Sequence, residues 1–190
     1  MKPRHLAIAS LLCAGTALAA PTTPGTTKGL KAFETVRKVL QHPRCQNCHI
    51  PGDAPLQYDE GRTHGQSVVR GADGHGAVGL SCSTCHGAAN PPASYGAHVP
   101  PGAPSWHLPP PDHKMVFIGR TGAELCALIK DPQATNGKDL PAMLEHVTND
   151  GLVKWGWDPG AGRAPVDVPH AEFVAAFREW MEKGAHCPVR

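Results

Sequence analysis

Apolar side chains recur at helical spacing near the start of the chain. Residues 28–41 place apolar side chains, among them Phe33 and Val36, at intervals of three and four, which predicts an amphipathic helix. Pro43 follows this stretch and is expected to end the helix, because proline cannot continue the backbone hydrogen bonding. The N-terminal part of the fold is therefore predicted to be helical.

The C-terminal part of the chain repeats this pattern in three stretches. Thr121 and Glu124 have the spacing of a capping box, which predicts the start of one helix. Asp139 is expected to cap a second helix, since its carboxylate can accept from the free N–H groups of the first turn. Residues 170–183 form the most regular amphipathic stretch and predict a third helix. The second half of the chain is thus predicted to be mainly α.

Glycine and proline interrupt these helices over a long central region. The chain of 190 residues contains 21 Gly and 20 Pro, which favours turns and irregular loops. Residues 50–81 are rich in glycine and predict loops with short helical turns. Residues 87–114 are rich in proline and predict extended chain. We expect one mainly α domain over residues 28–190, preceded by a flexible segment at residues 20–27.

The first nineteen residues resemble a secretory signal peptide. Lys2 and Arg4 form a basic start, residues 6–18 are mostly apolar, and Ala17 and Ala19 fit a small-residue cleavage site. Cleavage after Ala19 would place the mature protein in the periplasm. No other apolar run is long enough to span a bilayer, so we expect no transmembrane segment in the mature chain.

Charge gives little indication of a charged partner. The whole chain carries 18 Lys and Arg against 16 Asp and Glu. Lys2 and Arg4 are lost with the signal peptide, so the mature chain would carry 16 of each sign. There is no basic run and no aromatic-basic platform, and nucleic acid is therefore not expected as a partner.

Cysteine supplies the candidate chemistry. Six cysteines remain after cleavage, and four of them belong to two copies of the C-x-x-C-H motif, the attachment signature of c-type haem. The thiols add to the two vinyl groups of the porphyrin, and the adjacent histidine binds the iron. The residues of the two copies are Cys45, Cys48, His49, Cys82, Cys85 and His86.

The four cysteines also allow two uses other than haem attachment. Two C-x-x-C knuckles could hold a structural zinc ion, but 33 residues separate them here, more than the roughly 15–20 of such sites. Zinc would also leave the two adjacent histidines without a role. In an oxidising compartment the four thiols could instead pair as disulfides. The repeated histidine favours haem.

With these two motifs the chain resembles the dihaem c-type cytochromes of the bacterial periplasm. Residues 114–119, with Met115 among them, also resemble the segment that supplies the methionine ligand in class I cytochromes c. The resemblance implies short helices and Pro/Gly-rich loops packed around two covalently bound haem c groups. The tryptophans, Trp180 included, are then expected near the porphyrins.

The resemblance leaves the sixth ligand of each iron open. Met115 lies 66 residues after His49 and 29 after His86, and the longer spacing is closer to the single-haem pattern, which favours the first iron. A core methionine is the alternative for Met115. For the other iron the favoured candidates are His64, in the loop between the motifs, and His146, on a predicted helix. Further candidates of the same type are His98, His107 and His113.

Cys126 and Cys187 lie outside the two motifs. Because the chain is expected to be exported, a disulfide between them is favoured, with a buried pair of thiols as the alternative. Such a bond would attach the C-terminal tail to the helix that begins near Thr121.

These features predict an electron carrier. Two haems in one small domain would pass electrons between a periplasmic oxidoreductase and a downstream acceptor. The mature chain is also similar to proteins labelled as the cytochrome subunit of isoquinoline 1-oxidoreductase, which implies a molybdenum hydroxylase as electron donor. The alternatives are a dihaem peroxidase-like enzyme and a haem-based sensor, both of which need an open iron site.

Overall fold

The computed structural model describes residues 24–189, which are mostly helical with little strand. The predicted signal peptide at residues 1–19 and the start of the segment at 20–27 lie outside the described residues. A mainly α fold is confirmed for the part of the chain that is described. The helices are α1 (Pro24–Leu40), α2 (Pro43–Gln46), α3 (Gly122–Lys130), α4 (Leu140–Asn149), α5 (Gly151–Lys154) and α6 (His170–Glu182).

Helices α1 and α6 pack against each other and form the centre of the core, with α3 and α4 against them. Trp180 of α6 is fully buried and contacts Phe33 and Phe177, at ring-centroid distances of 5.0 and 5.4 Å. Trp180 therefore belongs to the helical core, and the lining of the two cavities described below does not include it. Burying three large aromatic side chains together stabilises this helix pair by several kcal/mol, at about 1.5–3 kcal/mol for each side chain.

The helix ends follow the signals in the sequence. Thr121 accepts from the backbone N–H of Glu124, and the Glu124 carboxylate accepts from the backbone N–H of Thr121, which completes the predicted capping box. Asp139 caps α4 by accepting from Ala142 N–H at 2.9 Å. Helix α1 begins at Pro24, earlier than predicted. Proline is well tolerated there, because a backbone N–H in the first turn of a helix has no hydrogen-bond partner within the helix.

The central region is loop, as predicted, but it also contains two very short antiparallel hairpins. Their strands are β1 (Leu56–Gln57), β2 (Arg62–Thr63), β3 (Gly76–Ala77) and β4 (Leu80–Ser81). Two-residue strands are too short to leave a period-two pattern in the sequence. Gly76 is required in the second hairpin, because its φ is +102° and a Cβ would lie 2.6 Å from the carbonyl oxygen of Leu80.

The C-terminal tail is attached to α3 by a disulfide between Cys126 and Cys187, which agrees with the prediction. Two hydrogen bonds hold the same tail: Lys130 Nζ donates to the carbonyl oxygen of Ala185 at 2.8 Å, and Trp180 Nε1 donates to that of His186 at 3.0 Å. Among residues 24–189, no helix combines the length and the apolar character needed to cross a membrane.

Candidate functional site

The first C-x-x-C-H motif lines a cavity of about 220 Å³ between α1, α4, α6 and the central loops. The cavity wall is mainly apolar and includes Val39, Met143, Val147, Phe173 and Phe177. An apolar wall with a few polar groups is typical of a cofactor site. The motif therefore opens into a space that the helical core itself encloses.

Local structure brings the three motif residues together. Helix α2 begins at Pro43 and is capped by His42, whose Nδ1 accepts from the N–H of Arg44 at 3.2 Å. The N–H of His49 then donates to the carbonyl oxygen of Cys45 at 3.2 Å, which keeps the motif in one helical turn. Burial raises the pKa of Cys45 to about 12, so this thiol is neutral at physiological pH.

His49 is held on two sides. Its Nδ1 donates to the carbonyl oxygen of Met115 at 2.8 Å, and its ring stacks on Phe117 with centroids 3.9 Å apart and planes 11° apart. Burial lowers the pKa of His49 to about 4, so the imidazole is neutral near pH 7. Because Nδ1 carries the proton, Nε2 has the free lone pair that a metal ion needs.

Met115 lies against the Nδ1 edge of His49. Its φ is +48°, and the N–H of Phe117, two residues later, donates to the carbonyl oxygen of His49 at 2.9 Å. The two nitrogens of an imidazole point in different directions across the ring. The backbone of Met115 is thus beside His49 on the edge away from Nε2, while its side chain contributes to the cavity wall.

Helix α4 supplies a second histidine to the wall of the larger cavity. His146 lines this cavity, and its Nδ1 lies 3.5 Å from a carboxylate oxygen of Asp150. This contact with His146 is the main reason why the pKa of Asp150 falls to about 2. A carboxylate at Nδ1 orients an imidazole so that Nε2 is free to bind a metal. Among the described residues, Nε2 of His146 has no hydrogen-bond partner.

The second C-x-x-C-H motif lines a smaller cavity of about 60 Å³. A 3₁₀ turn over Cys82–Thr84 places it, and the N–H of His86 donates to the carbonyl oxygen of Cys82 at 3.0 Å. His86 Nδ1 donates to the carbonyl oxygen of Pro101 at 2.8 Å, and its ring stacks on Trp106 with centroids 4.3 Å apart. Because Nδ1 uses its proton in this hydrogen bond, the neutral imidazole of His86 has its lone pair on Nε2, and burial lowers the pKa of His86 in the direction that favours the neutral form.

His64 is across the smaller cavity from His86. The two ring centroids are 6.1 Å apart and the planes differ by 60°. His64 Nδ1 donates to the carbonyl oxygen of Gly65 at 2.9 Å, which leaves its Nε2 free. Metal–nitrogen bonds are about 2 Å long, so two imidazoles on opposite sides of one metal have ring centroids roughly 6 Å apart. The His64–His86 pair therefore has the spacing of a bis-histidine metal site.

The two cavities adjoin. Cys48, Trp106 and His107 line both of them. Trp106 also meets Trp155, which is in the wall of the larger cavity, at a centroid distance of 4.9 Å. The two motifs are therefore neighbours in space, although 33 residues separate them in the sequence.

The other histidine candidates, His98, His107 and His113, differ in position, and His107 lines both cavities. His98 makes an edge-on contact with Tyr58 at 5.2 Å and lines neither cavity. His113 lines the larger cavity and donates from Nδ1 to the carbonyl oxygen of Gln133 at 2.7 Å. The carbonyl groups that accept from His49 and His86, such as that of Pro101, could not be predicted from the sequence, because every residue has a backbone carbonyl.

The four motif cysteines are free thiols rather than disulfides. Cys45 lines only the larger cavity, and Cys82 and Cys85 line only the smaller one. Cys48 lines both cavities. Within the described part of the chain, no group of three or more His, Cys, Asp and Glu side chains is arranged to hold a metal ion. The two motifs are therefore not gathered into one shared metal-binding cluster in this part of the chain.

Comparisons of the chain with protein-family models, with curated proteins and with solved structures found no match.

Proposed function

We propose that this protein is a periplasmic dihaem c-type cytochrome that carries electrons. When bound, each haem would supply an iron that accepts and releases one electron. Cys45 and Cys48 would attach one haem at the larger cavity, and Cys82 and Cys85 would attach the other beside the smaller cavity, where Cys85 is exposed. The residues around each haem would then supply the further iron ligand, determine the polarity of the site and limit the access of small molecules to the iron.

The observation that carries the proposal is the matched support of the two motif histidines. His49 and His86 each donate from Nδ1 to a backbone carbonyl at 2.8 Å, and each stacks on an aromatic ring. This arrangement fixes the tautomer and the orientation of a metal-binding imidazole. A zinc knuckle would not need either histidine, and it would not need both to be held in the same way.

The sixth ligands that we propose are both histidines. His64 is suited to the second iron because its ring is 6.1 Å from that of His86. His146 is suited to the first iron because it shares the larger cavity with His49 and has Asp150 at its Nδ1. Met115 would pack beside His49 instead of binding iron, since its backbone contacts the Nδ1 edge of that ring.

Two closed irons in adjoining cavities suit electron transfer better than catalysis. With His146 and His64 as additional ligands, neither iron would be free to bind a peroxide or a gas. The shared wall of Cys48, Trp106 and His107 would keep the two sites close enough for rapid exchange. A periplasmic oxidoreductase is the electron donor that we propose, and the resemblance described above suggests a molybdenum hydroxylase.

The test is a count of covalent haems followed by carbon monoxide binding. We expect the mass of the protein, expressed with a cytochrome c maturation system, to exceed that of the polypeptide by two haems. Cys82→Ala with Cys85→Ala should remove one haem, whereas Cys126→Ala with Cys187→Ala should keep both. The reduced spectrum should not change on addition of carbon monoxide. A mass without haem would overturn the proposal, and a carbon monoxide shift would favour the enzyme or the sensor.

A further inference from the structure

Arg44 is a buried cation beside the first motif. It immediately precedes Cys45, its side chain is 2% exposed, and it lines the larger cavity. One terminal nitrogen, Nη2, donates to the carboxylate of Asp59, and the guanidinium carbon is 5.7 Å from the centre of the Trp155 ring. The guanidinium is therefore fixed between an acidic and an aromatic side chain.

The Nε of Arg44 has no hydrogen-bond partner. Among the described residues it is the one buried side-chain nitrogen or oxygen of which this is true. Buried donors are normally satisfied, because leaving one unpaired loses the whole of its hydration. An unpaired donor on a charged group, in the wall of a cavity, indicates that the cavity holds an acceptor.

The charged side chains near Arg44 leave its Nε without an acceptor. Burial and then the charge of Arg44 lower the pKa of Arg163, so two cations lie near each other here. Asp59 is the carboxylate beside them, and it is 45% exposed and also accepts from the N–H of Ala164. Both oxygens of Asp59 thus already accept from other donors, so this carboxylate does not supply the missing acceptor for Nε.

We propose that Arg44 binds a haem propionate through its free Nε–H. The inference rests on the proposed function, because it takes the haem as the occupant of the larger cavity. The propionates are the anionic groups of a haem, and a carboxylate is the acceptor that the planar guanidinium fits best. Arg44 would then bridge the Asp59 carboxylate and the propionate, and would have no unpaired donor.

A direct test uses the unmodified holoprotein. In the reduced, diamagnetic state, nuclear magnetic resonance should show a nuclear Overhauser effect between Hε of Arg44 and the methylene protons of a haem propionate. The Hε proton should also exchange slowly with solvent. An assigned Hε that shows no such contact would overturn the inference, and that result would identify a water molecule as the acceptor.

Substitutions test the same contact through the midpoint potentials. The positive charge of Arg44 opposes the extra positive charge of an oxidised haem, so Arg44→Gln should lower one of the two potentials. Arg44→Lys keeps the charge and should lower that potential less. Asp59→Asn is the matched control with the opposite sign, since it removes a negative charge and should raise the same potential. Unchanged potentials in Arg44→Gln with both haems attached would contradict the inference.

These outcomes separate the inference from the proposed function. If no variant and no native protein carries haem, the proposed function fails. If two haems are attached and the Arg44 contact is absent, only the inference about Arg44 fails. If Arg44→Gln does not mature, the Overhauser experiment on the native protein still decides between propionate and water.

Discussion

His49 and His86 have similar surroundings that are assembled from different parts of the chain. The carbonyl that supports His49 comes from Met115, 66 residues later, whereas the carbonyl that supports His86 comes from Pro101, 15 residues later. Each ring also has an aromatic neighbour, Phe117 or Trp106. Both imidazoles are thereby fixed with Nδ1 protonated, which is the form that binds iron through Nε2.

His64→Ala is predicted to open the second iron. Because the ring of His64 lies 6.1 Å from that of His86, its loss would leave the second iron without one of its proposed ligands. Carbon monoxide should then shift the Soret band of about half of the reduced haem, as one of two irons becomes accessible. His75→Ala is the matched control, since His75 is exposed and lines neither cavity. If carbon monoxide does not shift the Soret band of His64→Ala, the second iron has a different ligand.

His146→Ala is predicted to open the first iron, while Met115→Leu leaves both irons closed. The difference follows from the position of Met115 at the Nδ1 edge of His49. Added imidazole should restore a six-coordinate spectrum to His146→Ala. Because methionine ligation raises a haem potential, Met115→Leu should also leave both midpoint potentials nearly unchanged. A large fall in one potential in Met115→Leu would instead identify Met115 as an iron ligand.

The helices were largely predictable, because their signals are local. The capping box at Thr121, the cap at Asp139 and the spacing of apolar residues all act within a few positions of the chain. The contacts of the site are not local. His64 approaches His86 through the folding of a loop between two hairpins, and no periodic pattern in the sequence describes that path. The motif residues could thus be predicted, whereas the pairing of His64 with His86 required the fold.

The disulfide is predicted to contribute to the stability of the helical core. It joins α3 to the tail beyond α6 across a sequence separation of 61 residues, and Cys126 is fully buried. In the chain-entropy model a loop of this length adds about 4 kcal/mol to the free energy of unfolding. Cys126→Ala with Cys187→Ala should lower that free energy by about this amount in chemical denaturation of the holoprotein.

The spectrum serves as the control for this prediction. The two cysteines lie outside both cavities, so the double variant should keep the visible spectrum and the haem content of the native protein. A loss of stability together with a loss of haem would mean that the tail also supports a haem site. An unchanged free energy of unfolding would mean that the hydrogen bonds to Ala185 and His186 suffice to hold the tail.

The stretch of chain that contains the second motif has few charged residues. Between residues 64 and 111 the chain carries one arginine and one acidic residue, Arg70 and Asp73. Arg70 is fully buried, and it donates to the carbonyl oxygens of Ile50 and Gly52 and to the carboxylate of Asp53. Asp73 is therefore the one exposed fixed charge of this region. Electron exchange at the second haem would depend on close contact more than on attraction from a distance.

Electron exchange at this surface is accordingly predicted to depend little on salt. Steered association changes by roughly ten- to thousandfold with charge and ionic strength, so we expect less than about a threefold change here between low and high salt. Stopped-flow oxidation by one cationic and one anionic reagent would measure it. Ser83→Lys introduces a charge beside the exposed Cys85, and it should accelerate the anionic reagent at low salt only. A steep salt dependence in the native protein would mean that electrons leave through another, charged face.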